Sequence, residues 1–112
     1  MKPILLGILC TALIVSLSAC SDDADPQFRV MNERADKVNV QIQTSGGNTI
    51  NLNEVQAGQG TAYQSALEGT ITATAVIQNE QVTPQVSFFA AKGSRSTIVV
   101  QAGTTPTLRV DR

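Results

Sequence analysis

The chain has 112 residues, 15% of them charged, a formal net charge of −1, and neither histidine nor tryptophan. That length leaves room for one small domain and excludes multidomain machinery. Eight basic residues against nine acidic ones provide no basic stripe to follow a phosphate backbone, so nucleic acid is not an expected partner. Without histidine the commonest general base and metal ligand is missing as well.

Lys2 supplies a positive start, and Ile4 to Val15 runs without a charged residue. That run is too short for a bilayer span, which takes about 20 apolar residues, so residues 1–19 are expected to be a cleaved export signal. The run ends in Leu17-Ser18-Ala19-Cys20, which resembles the lipobox of bacterial lipoproteins. The resemblance implies a diacylglycerol on the Cys20 sulfur, a cut just before it, and acylation of the new amino group. An ordinary signal cleavage site wants a small residue where Leu17 stands; the lipid reading accounts for that leucine and for an otherwise orphan exported thiol. One acyl chain binds a membrane only marginally, at about 0.8 kcal/mol per methylene, whereas two or three hold it almost permanently. Cys10 lies within the removed segment, so no intramolecular disulfide is expected in the mature chain. Ser21 stands where, in enterobacterial lipoproteins, a residue other than aspartate implies an outer-membrane location facing the periplasm. Asp22 and Asp23 leave inner-membrane retention as the alternative.

Residues 20–27 are expected to form a lipidated tether, since Ser21 to Gln27 is polar and interrupted by Pro26. At about 3.3–3.6 Å per residue it reaches roughly 25 Å. Asp22, Asp23 and Asp25 have no glycine to shape a calcium loop around them and read as solvated charge.

From Phe28 the pattern has period two, with turn residues at short intervals, which predicts strands. Val38, Val40 and Ile42 alternate with Asn39, Gln41 and Gln43. Ser45-Gly46-Gly47-Asn48 then turns the chain into Thr49–Leu52, a hairpin. Ile71, Ala73, Ala75 and Ile77 alternate with Thr70, Thr72 and Thr74, β-branched residues that suit a pleated surface. Val82 to Ala90 is extended, but Pro84 has no N–H to donate, so this strand belongs at a sheet edge or begins after the proline. Ser96–Gln101 is apolar on both faces and is expected to be a central strand covered on each side. Thr107–Val110 points Leu108 and Val110 inward and Arg109 outward. With Phe28–Asn32 and the segment around Ala62–Leu67, residues 28–112 are predicted to be all-β, a small antiparallel β-sandwich of seven or eight strands. A closed β-barrel is the alternative.

Catalytic constellations are weak. With no histidine, only Lys37 or Lys92 remains as a base for a serine nucleophile, and Lys92-Gly93-Ser94 is ordinary loop composition. Glu33, Asp36, Glu54, Glu68 and Glu80 lie beside turns or on exposed registers, where a surface carries its charge. Gly58-Gln59-Gly60 lacks the following helix whose N-terminus would hold a phosphate. No cofactor or metal is expected, and the fold should require neither metal nor disulfide. Among the aromatic residues, Tyr63 is expected to pack its ring inward with the hydroxyl at the rim, a ligand role being the alternative. Phe88 and Phe89 are adjacent, so in a regular strand they face opposite ways. Either a bulge or an inter-sheet contact buries both, or one is exposed and is the best candidate for a partner contact.

Phe28-Arg29-Val30-Met31-Asn32 followed by Val38-Asn39-Val40-Gln41-Ile42 resembles the opening of a group of bacterial surface domains of unknown function. Gly60-Thr61-Ala62-Tyr63, the Leu67–Ala73 segment and Ser96-Thr97-Ile98-Val99-Val100 resemble that group's later motifs. Asn39 stands where aspartate is frequent and Ser96 where an aromatic is usual. A similar pattern occurs in periplasmic accessory proteins of alginate acetylation. Either resemblance implies a non-catalytic β-sandwich that binds or scaffolds. The expected function is a lipid-anchored envelope protein contacting a protein or polysaccharide partner. The alternative is an accessory subunit, or a weak enzyme, of cell-surface polysaccharide modification.

Overall fold

Alternating apolar and polar residues give each short segment one face to bury, and the backbone groups of extended segments are satisfied only by pairing into sheets. The computed structural model describes residues 24–112; the expected export signal and Cys20 lie outside the described residues. Among these the chain forms β1 (Gln27–Asn32), β2 (Val38–Gln43), β3 (Thr49–Val55), β4 (Gln64–Ser65), β5 (Gly69–Ile77), β6 (Gln85–Ala90), β7 (Arg95–Gln101) and β8 (Thr107–Asp111). They assemble as two four-stranded sheets, ordered β4-β1-β7-β8 and β3-β2-β5-β6. Phe28, Val30, Val40, Ile42, Ile71, Ile98 and Val100 are essentially fully buried in the single core between them. This is a β-sandwich. No ladder joins the edges of the two sheets among the described residues, so the barrel alternative does not apply.

One pairing departs from the antiparallel expectation. β1 and β7 run parallel, from Gln27 opposite Arg95 to Asn32 opposite Val100. The register sets the large ring of Phe28 beside the small, buried Ser96, so a bulky side chain and a small one share the core layer. β7 is central, as its composition predicts, and Val99 on its outer face is 2% exposed. No further layer covers that face among the described residues; Val99 is flanked by Met31 of β1 and Arg109 of β8.

The β2–β3 hairpin closes through Thr44 N–H to the Asn48 carbonyl (3.0 Å), with Gly47 at φ +84°. β3 carries a bulge, since Val40 opposes Leu52 while Val38 opposes Val55. Glu54 adopts φ +56°, and its N–H donates to Asn39 Oδ1 (2.6 Å). The extra residue lets both Leu52 and Val55 face the core. Gly69 begins β5 at φ +143°, and a Cβ there would overlap the Ser45 side chain. Gly69→Ala is therefore expected to destabilise the fold by about 1–3 kcal/mol, read as a lower urea midpoint at unchanged slope.

One end of the sandwich is closed by polar groups. Asn32 is fully buried, and its Nδ2 donates to the carbonyls of Asp36 (2.8 Å) and Val55 (3.0 Å), with a longer contact to that of Gln56 (3.3 Å). Its Oδ1 accepts the Arg34 N–H (2.9 Å). The Arg34 side chain then reaches the carbonyls of Gln101 and Gly103 and the carboxylate of Glu80 (3.4 Å). Three connections are thereby tied to one turn.

Candidate functional site

β6 lies at the edge of its sheet, paired only with β5. Pro84 stands just before it, and the Pro84 carbonyl accepts the Ala75 N–H (3.0 Å). Antiparallel pairs alternate between residues that exchange hydrogen bonds and residues that do not. Counting from that bond, Val86, Phe88 and Ala90 pair with β5, and the backbone groups of Gln85, Ser87 and Phe89 point away from the sheet. Phe88 is 8% exposed in the core, whereas Phe89 is 55% exposed. Of the two arrangements open in the sequence, the regular strand with one exposed ring is the one found.

Tyr63 is not inside. Its ring lies within 5.0 Å of the Arg29 guanidinium carbon and 4.8 Å of that of Arg95. Arg29 alternates with the buried Phe28 and Val30 along β1, so it projects from the outer face of its sheet; β4, which follows Tyr63, pairs with β1. The expectation of an inward ring is corrected by these neighbours, because two guanidinium planes offer a π-face more than the filled core can. The arginines are themselves held in place. Arg29 Nε donates to Thr97 Oγ1 (3.1 Å), and Arg95 Nε donates to Gln27 Oε1 (3.0 Å). Nothing local in the sequence marks Arg29 and Arg95 for this role: Arg29-Val30 and Arg95-Ser96 are ordinary strand dipeptides, and both lie far from Tyr63 along the chain.

The outer face of the other sheet is polar without charge along its central rows. Asn51, Gln41, Thr74 and Gln85 form one cross-strand row, and Thr49, Gln43, Thr72 and Ser87 form the next. Thr72 and Ser87 hydroxyls bond at 2.9 Å, and Gln85 Nε2 donates to Thr74 Oγ1 (3.1 Å).

Several of the sequence candidates for catalysis make local contacts. Ser94 donates its hydroxyl to the Ala91 carbonyl (2.6 Å), closing the β6–β7 turn. Lys92 meets Glu68 through its backbone N–H (3.0 Å). Glu54 pairs with Lys37 (3.2 Å), Glu80 with Arg34, and Glu33 with Arg109 (3.8 Å). Gly58 occupies a turn at φ +72°, followed by no helix. An open recess of about 370 Å³ lies between Lys37, Asn39, Glu54 and the end of β5, and its charged lining is the Lys37–Glu54 ion pair. No group of three or more metal-ligating side chains occurs among the described residues. Arg109 donates to both Asp111 oxygens (2.8 and 3.0 Å), and that hydrogen bond holds the carboxyl below the usual carboxylate range. A lowered folded-state value stabilises above the ordinary carboxylate pKa and is lost as pH falls through the lowered one; exposure keeps the contribution small.

No family model matches the chain, and no curated protein matches it. Among solved structures it is similar to an NMR structure of a protein from Eubacterium rectale, at 14% identity and a TM-score of 0.60, covering 82% of this chain and 92% of that one. At that identity the likeness bears on the fold alone.

Proposed function

We propose that the chain is a lipid-anchored cell-envelope protein, outer-membrane and periplasm-facing, whose β-sandwich is a non-catalytic module that binds a protein partner along β6. The observation that carries the reading is Phe89, 55% exposed on an edge strand. Unpaired backbone groups on such a strand accept an extended segment of another chain, and an exposed ring anchors it. The lipobox-like Leu17-Ser18-Ala19-Cys20 supports the anchor. Cys20→Ala is expected to release the chain into the soluble fraction or to block its processing. If the variant still fractionates with membranes at the mature size, the anchor reading fails. A pull-down from detergent-solubilised envelopes, comparing the native chain with Phe89→Ser, tests the partner; equal recovery of every co-purifying protein overturns it.

A second reading, an accessory role in cell-surface polysaccharide modification, is favoured by the uncharged rows of Asn, Gln, Thr and Ser on the β3-β2-β5-β6 face. Amides and hydroxyls in a flat array match the donors and acceptors of a neutral glycan.

A further inference from the structure

We infer that Tyr63, Arg29 and Arg95 form a docking site for the phosphate groups of the lipid leaflet that holds the anchor. The inference rests on the lipid-anchor reading of Cys20. The guanidinium carbons lie 5.0 and 4.8 Å from one ring centroid, so the two like charges are at most about 10 Å apart. No carboxylate among the described residues pairs with either, whereas Arg34 and Lys37 each have one and Arg109 has two. Each Nε is spent on a neutral oxygen, Thr97 Oγ1 or Gln27 Oε1, which orients the side chain and leaves its terminal nitrogens to donate. Guanidinium forks are weakly hydrated and match phosphate oxygens two at a time, and a phosphate shared by both relieves their mutual repulsion.

Position selects the source of the phosphate. The Ala24 carbonyl accepts the Gly93 N–H (2.7 Å) and the Ser94 carbonyl accepts the Gln27 N–H (3.0 Å), so the chain docks on the domain from Ala24 onwards. Arg95 lines a recess of about 240 Å³ with Ala24, Asp25, Gln27, Gly93 and Ser94. Only residues 21–23 lie between Cys20 and Ala24, a reach of roughly 14 Å. A domain tethered that closely has its arginine face beside the headgroup layer, where local phosphate is abundant and a second contact costs little further entropy.

Tyr63 is the only tyrosine and the chain has no tryptophan, so tyrosine emission reports this site. The exported full chain in uncharged detergent micelles is titrated with phosphatidylglycerol. Emission should change saturably, and Arg29→Gln with Arg95→Gln should raise the half-saturating lipid fraction about 30-fold at an unchanged urea midpoint. Should that variant fail to fold, Arg29→Lys with Arg95→Lys keeps the charge without the fork and should still weaken the response. An unresponsive native chain, an unmoved half-saturation in the folded double variant, or an equal response to the same concentration of inorganic phosphate without lipid overturns the inference. The mass of the purified chain reports acylation of Cys20 separately, so failure of the anchor and failure of the phosphate site are told apart.

Discussion

Replacing Phe88 by alanine is expected to destabilise the domain by about 3–5 kcal/mol, whereas the same change at Phe89 should leave stability almost unmoved. The two rings are neighbours in sequence, yet one is 8% and the other 55% exposed. Phe88 stands opposite the fully buried Ile71 in the β5–β6 ladder. Its loss should lower the melting temperature by about 10 °C or more in a domain of this size. Phe89 stands opposite the exposed Thr70, so Phe89→Ser should weaken association and leave the melt within about 0.5 kcal/mol of the native chain. Equal destabilisation by both would show that both rings are core and remove β6 as an interaction edge.

Asn32→Leu is expected to cost about 3 kcal/mol or more, although it keeps the number and branching of the side-chain heavy atoms. The amide satisfies the carbonyls of Asp36 and Val55 and the N–H of Arg34, and each buried polar group left without a partner costs about 1–3 kcal/mol. Asn32→Asp separates the two halves of the role. It keeps the acceptor for Arg34 N–H but turns a donor into an oxygen facing carbonyls, and should be at least as damaging. Urea unfolding of the Asn32→Asp variant at native stability would mean that only the acceptor matters.

Sequence patterning determined the elements whose residues need only their neighbours. Val38-Asn39-Val40-Gln41-Ile42 and Ile71-Thr72-Ala73-Thr74-Ala75 carry a strict period of two, so any packed sheet buries the same face. Pro84 marked an edge because a missing N–H is a local property, and Thr97-Ile98-Val99-Val100 marked a central strand by lacking a wet face. Gly46-Gly47 announced the hairpin by its conformational freedom. The tertiary structure alone decided what depends on distant residues. The parallel β1–β7 pairing joins residues separated by most of the chain, and no local propensity encodes it. Glu54 in its left-handed bulge follows from fitting both Leu52 and Val55 against one core. Tyr63 went outward because Arg29 and Arg95, brought side by side only by that parallel pairing, made a better platform than a filled interior. Asn32 read as the polar end of a strand; burial against the β1–β2 and β3–β4 connections, with Arg34 reaching the other two, made it part of the knot that closes one end of the sandwich.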